Sequence, residues 1–324
     1  MSSAHRRSLA RLLAPFLLFA LPAAACAQDA APRAAATAAA PVTAPAPGPA
    51  PAPAKPQVKA KPALWKVADK DTTIWLFGTI HILPPGIAWY DGPVAKALES
   101  SDTLVTEVVE PEDPAAAQQI ARIALSDPPR NLRDQLPARE RAKYEAALTS
   151  LHVPVSAFDA NDPWYAAVAL STLPLIQAGF GTMNGAEALL VAKAREKGMA
   201  RLGLETAQMQ LGLFDSLPQE TQIGYLGDVL ESFPKVREEV GAMLEAWKSG
   251  KADTLAQLMN EDQDDPQLMK VLLVDRNKAW AKWIEERLKR PGTVFIAVGA
   301  GHLAGKNSVQ AQLAADRVKT KRVR

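Results

Sequence analysis

The chain has 324 residues, 48% of them hydrophobic and 22% charged, with a formal net charge of +2. This is ordinary globular composition and excludes a wholly disordered chain. A lone cysteine, Cys26, excludes a disulfide framework, a zinc ribbon and a CxxC redox motif.

The charge is unevenly placed. Arg6, Arg7 and Arg11 give residues 1–27 a charge of +3, and residues 28–62 add another +3, so the body from 63 to 324 carries −4. A mildly acidic body is a poor nucleic-acid binder, because phosphate contacts need clustered cations. The basic tail Arg317, Lys319, Lys321, Arg322 and Arg324 reads as a solvated C-terminus.

Residues 1–27 read as an export signal. The three arginines precede an apolar run, Leu12 to Ala25, that is shorter than the about 20 residues a membrane span needs. Ala25-Cys26-Ala27 offers cleavage before Gln28. The rival is cleavage before Cys26 with lipidation of its thiol, although the leucine usual three positions upstream of such a cysteine is missing. Either way the expected location is outside the cytoplasm, in the periplasm or cell envelope, with Cys26 as the only expected membrane anchor. Residues 28–62 hold nine prolines among alanines, which favours an extended, disordered linker of polyproline II type.

The body, 63–324, reads as one α/β domain. Leu64–Val67 and Thr73–Phe77 are β-prone runs around Asp69-Lys70-Asp71, which predicts a hairpin. A helix is predicted over 91–100 with Asp91 as cap, and a strand over 103–109. Helical periodicity follows from 114 to 197, broken at Pro128-Pro129, Pro137, Pro154 and Gly179. A brief strand over 201–205 precedes a second helical block to about 290. Thr293–Val298 is the clearest buried strand, followed by a helix to about 315 and a last strand at 318–323. The expected fold is a mixed central β-sheet with large helical insertions.

The chain has four histidines. His5 leaves with the signal, and His152 reads as a surface residue. His81 and His302 each follow a buried strand through the same spacing, Gly78-x-x-His81 and Gly299-x-x-His302. A glycine there lets the backbone turn as it leaves the sheet, and α/β proteins place ligands at the carboxyl ends of strands. Glu107 interrupts the apolar strand 104–109, and Glu205 ends the strand 202–205. A buried carboxylate needs a partner such as Arg276. Two imidazoles and two carboxylates at strand ends also suit a divalent metal with open positions for water. There is no HExxH, GxSxG or Walker A sequence, and Gly299-Ala300-Gly301 lies too near the C-terminus to open a dinucleotide-binding unit. Trp280 and Trp283 read as core.

These residues resemble the TraB/GumN family, whose animal relatives are the Tiki proteins. LWKV and IWLFGTIHILP resemble its opening motif, LGLETAQMQ its Leu-Glu-Thr motif with Glu205, Thr206 and Gln210, Asp275-Arg276-Asn277 its Arg-Asn motif, and VGAGHLAGKNSV its second Gly-x-x-His. The resemblance spans 63–324. It implies a fold related to the erythromycin-esterase and ChaN-like folds, and a metal-dependent peptidase acting on a peptide or protein. His81, Glu107 and His302 would hold Mn, Co or Zn. Glu205 would be a further ligand or general base, and Arg276 would stabilise an oxyanion or orient a carboxylate. The competing function is a non-catalytic envelope protein that sequesters a peptide. The chain departs from the family at Ala314–Val318, where a glycine is usual between the last helix and last strand.

Overall fold

The computed structural model describes residues 58–109, 113–261 and 265–324. The export segment, Cys26 and most of the Ala/Pro-rich segment lie outside the described residues. The strands are β1 (Val58–Lys59), β2 (Leu64–Ala68), β3 (Thr72–Thr79), β4 (Ile87–Ala88), β5 (Thr103–Val108), β6 (Ala200–Glu205), β7 (Gly292–Gly299) and β8 (Thr320–Arg322). The first six helices are α1 (Gly92–Glu99), α2 (Pro114–Arg122), α3 (Leu132–Gln135), α4 (Ala138–Ser150), α5 (Pro163–Gln177) and α6 (Ala186–Lys197). Beyond β6 follow α7 (Ala207–Asp215), α8 (Gln219–Ser232), α9 (Val236–Lys248), α10 (Ala252–Ala256), α11 (Pro266–Met269), α12 (Asp275–Leu288) and α13 (Val309–Ala315).

The main sheet has six strands in the order β6-β5-β7-β3-β2-β8. Its first four strands are parallel, and β2 runs against both β3 and β8, which makes the sheet mixed. The hairpin forms as predicted: Val67 faces Ile74, and Asp69 Oδ1 accepts the Thr72 amide at 2.8 Å. Alternation along the strands divides the core. Ile74, Leu76, Val294, Ile296 and Val298 face α12 and α13, whereas Phe77, Phe295 and Ala297 face α6 and α9. A third core joins α4, α5, α7 and α8 away from the sheet. The two helical blocks, distant in sequence, therefore pack into each other. No helix among the described residues is long and apolar enough to cross a membrane.

Both ends of the folded body differ from simple expectation. Residues 58–62 close the segment read as a spacer, yet they are docked: β1 pairs in parallel with β4, and Ala60 is buried. The basic tail is not simply solvated. β8 pairs with β2, the Arg324 guanidinium donates to Asp91 at 2.7 Å, and Arg322 lies over the Trp65 ring. Asp91 sits at the α1 N-cap position, but its side chain makes no cap bond.

The turn after α13 is closed without glycine. Val318 N–H donates to Leu313 O at 2.8 Å and Arg317 N–H to Ala314 O at 3.1 Å, the two bonds of a Schellman cap. Arg317 takes the left-handed position, with φ of 65°. An L-residue there costs about 1–2 kcal/mol. Arg317→Gly should therefore raise the unfolding free energy by about 1 kcal/mol in urea titration. An unchanged or lowered midpoint would show that the arginine compensates its strain elsewhere.

Candidate functional site

The C-terminal ends of β6, β5, β7 and β3 lie along one edge of the sheet. In register, Thr79 faces Gly299 on adjacent strands, so the two Gly-x-x-His segments leave the sheet side by side. Gly78 has a different reason from the expected turn. A Cβ there would come within 3.0 Å of Ala300 Cα, so glycine permits the two exits to touch. Next to them, Val108 at the end of β5 faces Glu205 at the end of β6. Thr206 then caps α7 by accepting the Met209 amide at 3.1 Å, and the first turn presents Gln210. On α12, Arg276, Asn277, Trp280 and Ile284 form one buried stripe at helical spacing.

Arg276 joins these elements. It is 4% exposed. Its Nε–H donates to Glu205 Oε1 at 2.9 Å, and Nη2 donates to Glu205 Oε2 at 2.9 Å and Glu107 Oε2 at 2.7 Å. Nη1 donates to Leu272 O at 3.2 Å and faces His302 Nε2 at 3.1 Å. A guanidinium has five N–H donors, and all five are engaged. Arg276 therefore orients carboxylates and has no donor left for a developing oxyanion. Glu205 also accepts from Trp280 Nε1 at 2.9 Å, so Trp280 is core and site at once. Glu107 Oε1 accepts the Gly299 amide at 2.7 Å, and Oε2 also accepts Gln210 Nε2 at 2.8 Å.

The His302 tautomer follows from its neighbours. Asn277 Nδ2 donates to Asn307 O at 2.7 Å, which turns Asn277 Oδ1 toward His302 Nδ1 at 2.6 Å. Nδ1 therefore carries the hydrogen, and the Nε2 lone pair accepts from Arg276. Trp280 packs on the imidazole with ring centroids 4.3 Å apart.

His81 lies close enough to act electrostatically on both Glu107 and His302. Its side chain is 10% exposed, and Nδ1 pairs with Glu187 Oε2 from the first turn of α6. His81 and Glu187 are among the residues that line a cavity of about 410 Å³ between α6 and β5. The sequence singled out His81, Glu107, Glu205, Arg276 and His302, and the fold brings all five to one sheet edge. It did not single out Glu187, whose only local signal is an acidic residue in a helical first turn.

The expected metal site was to be shared by His81, His302 and Glu107. The donors as arranged do not fit it. The His302 lone pair meets the Arg276 guanidinium, and both Glu107 oxygens already accept hydrogen bonds. Among the described residues, no group of three or more His, Cys, Asp or Glu side chains is disposed to hold a metal ion. The Arg276 guanidinium contacts both His302 Nε2 and Glu107 Oε2.

This cation sets the protonation of its neighbours. Burial pushes the Glu107 carboxyl up, but Arg276 outweighs it, with His302, His81 and the Gly299 amide, and holds it at about 2. Burial and then Arg276 push His302 down to about 3, which Glu107 only partly offsets. Arg276 itself is raised: burial opposes its charge, but Glu107 and Glu205 prevail.

Both groups tie stability to pH in the same direction. Below its ordinary value of 6.5 the unfolded His302 binds a proton that the folded one refuses until about 3. Unfolded Glu107 does so from 4.5, against about 2 when folded. Their contributions are complete above pH 6.5 and 4.5 respectively and are lost as pH falls toward 3 and 2. A tenfold change in proton affinity on folding corresponds to about 1.4 kcal/mol. Urea unfolding from pH 7 to 4 should therefore show a loss of a few kcal/mol, reduced in His302→Gln. A flat profile would contradict the buried neutral imidazole.

Comparison with curated proteins and with solved structures found no match. A family model described as the TraB/PrgY/gumN family matches residues 63–322, which contain every residue of this cluster. With paired histidine exits, a Leu-Glu-Thr strand end and an Arg-Asn helix face in their expected order, the chain belongs to the TraB/PrgY/gumN family.

Proposed function

We propose that the protein is an exported hydrolase of peptide bonds in which His81 is the general base. The observation that carries this reading is the His81–Glu187 pair in the wall of a cavity, beside a buried Glu107–Arg276–His302 cluster. Glu187 accepts the Nδ1 hydrogen, which leaves the lone pair on His81 Nε2. That nitrogen takes a proton from water as the water oxygen bonds to the carbonyl carbon. Glu187 and Glu107 stabilise the resulting imidazolium. The imidazolium then returns the proton to the amine nitrogen as the C–N bond breaks. Glu205, Arg276 and His302 act by position: they fix Glu107 and the strand exits. Kinship with the erythromycin-esterase and ChaN-like folds belongs to the same proposal.

The test uses the purified mature chain and a peptide library, with products read by mass spectrometry. One arm contains a chelator, and others contain Mn²⁺ or Co²⁺. Cleavage that persists under chelation and disappears in His81→Gln supports the reading. Cleavage that needs added metal would restore the metal centre and overturn His81 as the base. Peptide retained but never cut would support the sequestering protein instead. Export is tested separately by the N-terminus of the native protein. Gln28 or a lipidated Cys26 is expected, and a cytoplasmic chain beginning at Met1 would overturn it.

A further inference from the structure

The cavity at His81 has two chemically different ends. α6 leads directly into β6, so its first turn lies at the carboxyl edge of the sheet and its last turn at the opposite edge. Glu187, Val191 and Arg195 share one helix face at spacings of four, and all three line the cavity. From Glu187 to Arg195 is eight residues, about 12 Å along a helix. The strand side agrees. Val108 faces Glu205 at the His81 end, whereas Leu104 faces Arg201 at the far end, and Leu104, Val108 and Arg201 all line the cavity. The cleft thus begins at an imidazole–carboxylate pair, runs along aliphatic walls and ends at two guanidinium groups. Met183, 86% exposed, lies at its rim, where a flexible thioether adapts to varied apolar shapes.

We infer that this cleft is the substrate subsite, and that it takes a short apolar peptide segment in extended form whose carboxylate docks on Arg195. This rests on the proposed peptide hydrolysis and adds its substrate class. An extended peptide advances about 3.3 Å per residue, so about 12 Å accommodates three to four residues between the bond at His81 and the carboxylate. The Arg195 side chain makes no ion pair among the described residues, and a fork of donors is the group that recognises a carboxylate. A chain terminus and an acidic side chain both supply such a carboxylate; the chemistry is shared.

Three probes separate these sources: acetyl-Leu-Val-Val as the free acid, the same peptide as the C-terminal amide, and acetyl-Leu-Val-Glu as the amide. Binding to the mature chain is measured by calorimetry at two salt concentrations, independently of any turnover. The free acid should bind about fivefold or more tightly than its amide, a preference that weakens with salt and falls to about one in Arg195→Gln. A melting curve confirms that the variant, altered at an exposed position, is folded. Tight binding of the glutamate amide alone would assign the subsite to acidic side chains. Equal affinity for acid and amide, or a preference that survives Arg195→Gln, would overturn the inference. Because binding is read directly, a chain that binds the acid without cutting any peptide would overturn the hydrolase reading and leave this one standing.

Discussion

Replacing Arg276 by methionine is expected to destabilise the protein by about 3–5 kcal/mol. The side chain pairs with two buried carboxylates, Glu107 and Glu205, and also hydrogen-bonds to His302 and to Leu272 O. Methionine fills comparable volume but leaves both carboxylates without a cation. Burial then dominates Glu107, and its carboxyl must rise from about 2. The variant should therefore be less unstable at pH 5 than at pH 7, relative to wild type, because protonation of Glu107 relieves its unpaired charge. Adding Glu107→Gln and Glu205→Gln should recover part of the loss. Arg276→Lys should recover little, since a point-like ammonium cannot bridge both carboxylates and the imidazole. Urea titrations at the two pH values measure all of this. A loss below about 1 kcal/mol for Arg276→Met would mean that the ion cluster is not what holds the strand ends together.

The second large effect is expected at Gly185, a residue with no chemistry of its own. It caps α6 just before Glu187, and the Ala186 amide donates to Ile80 O at 3.0 Å, which pins the His81 loop to the helix. A Cβ at Gly185 would lie 2.7 Å from the His81 carbonyl carbon and closer still to its oxygen, far inside contact distance. No rotamer relieves a backbone clash, so either the His81 loop or the start of α6 must move. Overpacking of this kind costs about 1–3 kcal/mol, and a displacement near 1 Å at a reacting group can cost about 100-fold in rate. Gly185→Ala should thus lose both stability and the proposed peptide cleavage. His81→Gln should lose cleavage with little change in the unfolding midpoint. If Gly185→Ala cleaves at the wild-type rate, the His81–Glu187 alignment is not needed for the chemistry.

The sequence by itself determined what depends on neighbours along the chain. The β-prone run 73–77 and the continuous apolar run 293–298 marked two central strands, and Asp69-Lys70-Asp71 marked the hairpin. The repeated glycine-to-histidine spacing placed both imidazoles at strand exits, and Glu107 and Glu205 betrayed themselves as acids in apolar strands. Tertiary structure alone decided who meets whom. Glu107 finds its cation 169 residues away on α12, and Glu205 finds the same cation across 71 residues. The order β6-β5-β7-β3 creates that meeting by lining up four strand ends from distant parts of the chain. The same holds for the His81–Glu187 pair, the fusion of two helical blocks into one core, and the docking of residues 58–62 and the basic tail. Periodicity reports which face of an element is buried. It carries no information about the partner across the interface, and here that partner determines whether a histidine meets a metal or an arginine.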